Sequence, residues 1–161
     1  MFSEEDHMRA RQLVIGTLAG AATVLVSGYL IFTAALGNFY AYAMNAGSAT
    51  GVAREPQLFW AVALGALSYG ALLTLVIGSR ASYVTIGAGI KMGAIVSFLL
   101  WFTADFMLYG ISNVGNLTTT IVDPLLELVP GAIAGGVIAG ALRRMASPIR
   151  ESPDVSTRRA A

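Results

Sequence analysis

The sequence predicts an all-α integral membrane protein, a bundle of four transmembrane helices with both termini in the cytoplasm. Four apolar stretches are long enough to cross a bilayer, which takes about 20 residues. Only 12% of the 161 residues are charged, about half the share found in a soluble domain. The apolar stretches show no period-two alternation, so helices are expected rather than the strands of a barrel.

The predicted elements follow one another along a single domain. We expect a cytoplasmic or interfacial N-terminal segment (residues 1–12), a transmembrane domain (residues 13–142) and a basic cytoplasmic tail (residues 143–161). The first span follows the acidic leader Ser3-Glu4-Glu5-Asp6, which is unlike the basic start of a signal peptide, so we expect this span to be retained. The four predicted spans cover about residues 13–36, 58–77, 84–108 and 124–142.

Basic residues set the expected orientation. With the N-terminus inside, nine of the ten lysines and arginines lie on or near the cytoplasmic side, and only Arg54 lies outside. Cytoplasmic loops of membrane proteins are enriched in such residues, which favours a bacterial inner membrane protein with both termini inside. Arg143 and Arg144 end the fourth span, where we expect them to contact lipid headgroups.

Small residues recur at helical spacing in every span. Membrane helices associate through close backbone packing, because lipid tails are as apolar as leucine side chains. The fourth span carries two such stripes, so we expect it to touch two neighbours and to be the most crowded helix. Two interpretations stay open: all the stripes pack the spans of one bundle against each other, or one stripe faces another subunit. The glycines assigned to packing are Gly16, Gly20, Gly65, Gly89, Gly93, Gly131, Gly135, Gly136 and Gly140.

Three acids fall in the outer half of the predicted bundle: Asp105, Asp123 and Glu127. Glu127 continues the stripe of Gly131 and Gly135, and an acid at membrane depth that faces protein is a candidate proton or cation site. Simpler interpretations stay open for two of these acids. In these interpretations, Glu127 hydrogen-bonds a side chain of a neighbouring helix or reaches the lipid headgroups, and Asp105 lies in the membrane–water interface. Asp123 precedes a proline, a pattern typical of a helix N-cap.

Aromatic side chains gather at the outer ends of the spans. Such rings prefer the headgroup region, which predicts an interfacial belt. A surface that docks a lipid, a peripheral pigment or a neighbouring helix is the alternative. No other cofactor is expected. The residues assigned to this rim are Tyr40, Tyr42, Trp60, Trp101, Phe102 and Tyr109.

The sequence lacks the common catalytic and cofactor patterns. It has no cysteine, and its one histidine, His7, precedes the first span, which excludes thiolate sites and histidine ligation inside the membrane. No HExxH, P-loop or GxSxG pattern occurs. The net charge of +1 provides no field that would attract nucleic acid. We therefore expect no enzyme, no metal site and no nucleic-acid partner.

Three features of the chain form a recognisable combination. Gly37-Asn38-Phe39-Tyr40 follows the first span, a glycine-rich third span ends in the aromatic and polar stretch 106–120, and Ile121-Val122-Asp123 opens a fourth span rich in small residues. With these features the chain resembles small bacterial four-span membrane proteins of uncharacterised function. Its glycine-laden fourth helix departs from the bulkier residues expected there. The resemblance implies the four-span topology and no reaction.

Together these observations favour a non-catalytic accessory or scaffold subunit, which acts by helix–helix packing in a larger inner-membrane assembly of an energy-transducing or photosynthetic kind. Its expected partners are membrane lipids and other transmembrane subunits, or further copies of itself. The alternative is an oligomeric transporter that couples a small solute to a proton or cation bound at Glu127 together with Asp105 or Asp123.

Overall fold

A computed structural model describes residues 10–39, 56–79, 85–112 and 115–145, which form helices and short connections without a strand. Helix α1 spans Ala10–Gly28 and continues as a π-helical segment, Tyr29–Ala35. Each of the four helices is long and apolar enough to cross a membrane. The predicted acidic leader and nearly all of the basic tail lie outside the described residues. The other three helices are α2 (Phe59–Gly78), α3 (Ile86–Ile111) and α4 (Leu117–Met145).

The predicted all-α fold with four membrane-length helices is confirmed for the described residues. The first three helices begin and end within three residues of the predicted spans. Helix α4 begins at Leu117, about seven residues before the predicted start. Asn116 caps it, because its side-chain oxygen accepts a hydrogen bond from the Thr119 N–H at 3.0 Å. The prediction that Asp123 caps this helix is therefore wrong, and Asp123 lies inside the helix.

Helix α4 lies at the centre of the bundle. It contacts α1, α2 and α3, and 44% of its most apolar window is buried, the largest share of the four helices. The predicted crowding of this helix is therefore confirmed. An apolar core joins α2 to α4 and fills the half of the bundle that contains the end of α4. The buried residues of this core are Tyr69, Leu73, Ile77, Ala134, Ile138, Ala139 and Leu142.

Helices α1 and α2 cross at small residues. Gly70 lies against the α1 backbone, where an added Cβ would approach the amide nitrogen of Ala21 at 2.7 Å. Gly16 and Gly20 form the facing surface, packed against the Thr74 side chain and the Gly70 Cα respectively. The Thr74 hydroxyl donates a hydrogen bond to the Gly70 carbonyl oxygen at 2.7 Å, so this fully buried polar group is satisfied.

Glycines also join α3 to α4. Gly89 and Gly93 on α3 face Gly131 and Gly135 on α4, and a side chain at any of these positions would meet the opposing helix. A Cβ at Gly93 would lie 2.9 Å from the Cα of Gly135 and closer still to the Gly131 carbonyl oxygen. Membrane helices associate through backbone contact of this kind. These two stripes therefore pack helices of the same chain.

The remaining glycines assigned to packing have looser surroundings. An added Cβ at Gly136 would lie 3.0 Å from the Ile90 side chain. Gly65 and Gly140 have no atom within 4 Å of such a Cβ. These two positions leave open surface on α2 and α4.

Gly93→Ala is expected to destabilise the bundle by about 1–3 kcal/mol, the usual cost of overpacking, because α3 and α4 must move apart to admit the methyl group. Thermal unfolding in mild detergent, followed by circular dichroism, measures this loss. Gly87→Ala is the matched control on the same helix, since a Cβ there would meet no atom within 4 Å. Equal midpoints for the two variants would contradict the tight glycine contact.

Candidate functional site

Polar side chains continue the glycine stripes of α3 and α4 into the other half of the bundle. On α3, steps of four residues lead from the glycines to Ser97, Trp101 and Asp105. On α4, the same step leads back from the glycines to Glu127 and Asp123. Residues four apart share a helix face. The antiparallel stripes that pack glycine against glycine therefore also bring these polar side chains together.

The three carboxyl groups of Asp105, Asp123 and Glu127 lie close together and are called the carboxyl cluster below. Asp105 and Asp123 are near enough for a side-chain hydrogen bond, and Glu127 lies within electrostatic range of both. Glu127 is only 7% exposed, and no hydrogen bond joins its carboxyl group to another described residue. Asp105 Oδ2 is also buried without a hydrogen-bond partner among the described residues.

Helix α2 contributes to the deep end of this site. The Tyr69 hydroxyl donates a hydrogen bond to Ser97 Oγ on α3, and it lies within electrostatic range of Glu127. The indole nitrogen of Trp101 lies beside the same hydroxyl, but it is buried without a hydrogen-bond partner in the described part of the chain. The indole N–H of Trp101 and Asp105 Oδ2, one helical turn apart on α3, are thus both buried without a hydrogen-bond partner among the described residues.

Two prolines flank Glu127 inside α4. Pro124 and Pro130 are both fully buried. Because proline has no backbone N–H, the carbonyl groups of Thr120 and Leu126 lose their usual helical donors. The helix backbone near the acid therefore offers acceptors to a proton-bearing group, a water molecule or a cation.

The described basic side chains lie far from the carboxyl cluster, in the opposite half of the bundle. They occupy the first turn of α1, the second turn of α3 and the last turn of α4. A carboxylate in an apolar interior is costly unless a proton, a cation or hydrogen bonds neutralise it. Within the described stretches, no group of three or more acids, histidines or cysteines is arranged to hold a metal ion. The basic residues are Arg11, Lys91, Arg143 and Arg144.

The residues of the predicted aromatic rim differ in their exposure. Trp101 turns its indole nitrogen into the bundle, whereas three other members of the rim are exposed. Tyr40 and Tyr42 lie outside the described residues. The exposed members are Trp60, Phe102 and Tyr109.

Sequence reasoning did not assign Tyr69 or Ser97 to the site. Ser97 carried a signal, because it lies four residues after Gly93 and eight before Asp105 on one helix face. Tyr69 carried none, since a single tyrosine in an apolar helix suits a core and a membrane interface equally well. Only the packing of α2 on α3 brings its hydroxyl to Ser97.

Comparison with protein-family models, curated proteins and solved structures finds no match to this chain. The resemblance to small four-span membrane proteins stays a prediction. Function is accordingly inferred from the carboxyl cluster and from the helix packing.

Tyr69→Phe is expected to lower stability by about 1 kcal/mol, because it removes the donor to Ser97, which is fully buried. The midpoint of thermal unfolding in detergent measures the change. Tyr29→Phe is the matched control, since Tyr29 is 62% exposed, and it should leave the midpoint unchanged. If both variants unfolded at the same midpoint as the wild type, the hydrogen bond between Tyr69 and Ser97 would not contribute to stability.

Proposed function

We propose that this protein is an integral inner-membrane transporter, which couples the movement of a small solute to a proton or small cation bound at the carboxyl cluster. One observation carries the proposal: three acids converge between membrane-length helices, and Glu127 among them is almost fully buried. Acids that face protein at membrane depth mark ion and proton pathways. A bound proton or cation supplies the counter-charge that no nearby basic residue of the described chain provides.

The proposed orientation has both termini in the cytoplasm. Arg11, Arg143 and Arg144 lie at one end of the antiparallel bundle, which would be the inner end under the preference for positive charge inside. The carboxyl cluster then lies in the outer half of the membrane.

In this orientation the carboxyl cluster forms a path from the outer end. At a rise of 1.5 Å per residue, Asp105 lies about 9 Å from the end of α3 and Glu127 about 15 Å from the start of α4. Tyr69 and Ser97 lie at the deep end, and beyond them the apolar core and the glycine contact fill the bundle. A proton that enters at the two aspartates thus reaches Glu127 and stops there while α3 and α4 stay in contact.

Release toward the inside requires a second arrangement of α4. Neutralising Glu127 removes charge repulsion within the carboxyl cluster, and charging it restores that repulsion. The two charge states therefore favour different spacings of α3 and α4. A ligand shifts a conformational equilibrium by its difference in affinity for the two states, and a bound proton fulfils that condition here.

A second candidate is the accessory subunit of a larger membrane assembly. It is favoured by the outward face of α2, where Ala61, Gly65 and Ser68 are exposed. A second helix can approach the backbone closely at Gly65, since no atom lies within 4 Å of a Cβ there. The facing glycines of α3 and α4, in contrast, already pack against each other within the chain; they are Gly89, Gly93, Gly131 and Gly135.

The orientation is tested with single cysteines, because the chain contains none of its own. Ser112→Cys, at the end of α3, should react with a membrane-impermeant maleimide in intact cells. Ser79→Cys, at the end of α2, should react only in inverted membrane vesicles. The wild-type chain is the unlabelled control. Labelling with the two sides exchanged would overturn the cytoplasmic placement of the termini.

Glu127→Gln is expected to abolish proton uptake into proteoliposomes, because the amide preserves the shape of the side chain but does not exchange a proton. A pH-sensitive dye inside the vesicles reports uptake when an inward proton gradient is imposed, with a mixture of small solutes on both sides of the membrane so that coupled transport can proceed. A sodium gradient, with a sodium-sensitive dye, tests the cation form of the proposal. The Glu127→Gln variant should have the same elution volume and helicity as the wild-type protein.

Glu55→Gln serves as the matched control, since it makes the same change at an acid that is not one of the three members of the carboxyl cluster, and uptake should persist. Wild-type vesicles that take up both ions no faster than protein-free vesicles would contradict transport. Co-purification with other membrane subunits that is lost in Gly65→Leu would then support the accessory candidate.

A further inference from the structure

An open cavity of about 290 Å³ lies at the end of the bundle opposite the carboxyl cluster. It lies between the start of α3 and the end of α4, and its lining residues are Ile86, Gly140, Arg143 and Arg144. Its volume is close to the lower limit for small-molecule sites, about 300–1,000 Å³. The cavity therefore has room for a headgroup-sized ligand.

The charge of the cavity comes from its two arginines. Both side chains are exposed, and neither forms an ion pair with another described residue. A guanidinium group presents a planar fork of donors that matches the oxygens of a phosphate group. Basic residues also favour the C-terminal end of a helix for its dipole, but that preference does not account for a cavity beside them.

An apolar surface continues from the cavity along α4. Gly140 leaves open space, and one turn further into the bundle Gly136 faces the side chain of Ile90. Ile86 and Ile90, one turn apart on α3, form the other side of this surface. Ile86 and Gly140 thus border a short apolar groove beside the arginines, which ends where Ile90 packs against Gly136.

We propose that the cavity binds an anionic glycerophospholipid, with its phosphate between Arg143 and Arg144 and the start of one acyl chain in the apolar groove at Ile86 and Gly140. A free phosphate ion has the same charge chemistry but would leave the apolar groove empty, which favours the lipid. The proposal requires that the helices span a membrane, and it is independent of ion binding at the carboxyl cluster.

Native mass spectrometry of the full chain in detergent tests this proposal. Phosphatidylglycerol and phosphatidylcholine are added in equal amounts, and a parallel sample contains phosphatidylglycerol with excess inorganic phosphate. We expect phosphatidylglycerol to be retained over phosphatidylcholine and to resist inorganic phosphate. The double variant Arg143→Gln, Arg144→Gln should retain roughly tenfold less phosphatidylglycerol.

Matched variants separate the cavity from general charge and shape. Arg11→Gln with Lys91→Gln removes two exposed cations from the same end of the bundle, outside the cavity lining, and should retain lipid like the wild type. Gly140→Leu fills the groove and should lower retention, whereas Gly65→Leu, at an equally open position, should not.

Three results would overturn the lipid site. The first is equal retention of phosphatidylglycerol and phosphatidylcholine. The second is an equal loss of phosphatidylglycerol in the Arg143/Arg144 variant and in the Arg11/Lys91 variant. The third is displacement of phosphatidylglycerol by inorganic phosphate, together with wild-type lipid retention in Gly140→Leu. The last result would assign the arginines to a phosphate ion instead. Helicity and elution volume identify any variant that fails to fold. If the arginine variant or Gly140→Leu fails to fold, lipid retention by the other one tests the proposed site.

Discussion

The close approach of the α3 and α4 backbones is the constraint on which the rest of this structure depends. Gly93 against Gly135 and Ser97 against Gly131 fix both the distance and the register of the two helices. Two steps of four residues along each helix, from Ser97 and from Gly131, then place Asp105 beside Asp123. A bulkier residue at these glycines would separate the helices and, with them, the two aspartates. The same packing that stabilises the bundle therefore also assembles its polar site.

The two halves of the bundle differ in how they are stabilised. The half that contains the end of α4 combines the apolar core with glycine contacts, which leave almost no space between the helices. The other half holds Trp101 and the carboxyl cluster, whose polar groups are only partly satisfied by the described residues. Tyr69 belongs to the apolar core, and its hydroxyl reaches Ser97 at the boundary between the two halves. Partly satisfied polar groups in an interior destabilise a fold unless they serve a ligand or a proton. The tightly packed half thus supports the half that holds the incompletely satisfied polar groups.

Sequence patterns predicted much of this arrangement and missed specific parts of it. Hydropathy located the four helices, because a helix that is able to cross a membrane must be long and apolar. The start of α4 was missed because three threonines and Asp123 lower hydropathy there, and because Asp123 before Pro124 imitates a helix start. The actual cap, Asn116 with Thr119, is a local hydrogen-bond pattern that many loops share.

Which stripe meets which helix was not readable from the sequence. Small-residue spacing is the same whether a stripe faces its own bundle, as at Gly93, or open surface, as at Gly65. The grouping of Asp105 with Glu127 depended on the antiparallel register of α3 and α4, which arises only when both helices are packed. The position of Tyr69 beside Ser97 depended on the packing of a third helix, α2. Patterns within one helix therefore predict its faces, whereas the partners of those faces are a property of the whole bundle.

The two buried prolines around Glu127 have a mechanical consequence. Two of the hydrogen bonds that would stiffen this part of α4 are missing by covalent structure, so bending there breaks fewer bonds than bending elsewhere in the helix. The most compliant stretch of α4 and its most deeply buried charge are thus the same stretch. In the proposed transporter, a change of charge at Glu127 would therefore bend α4 most easily in this stretch, next to the tightly packed glycine contact.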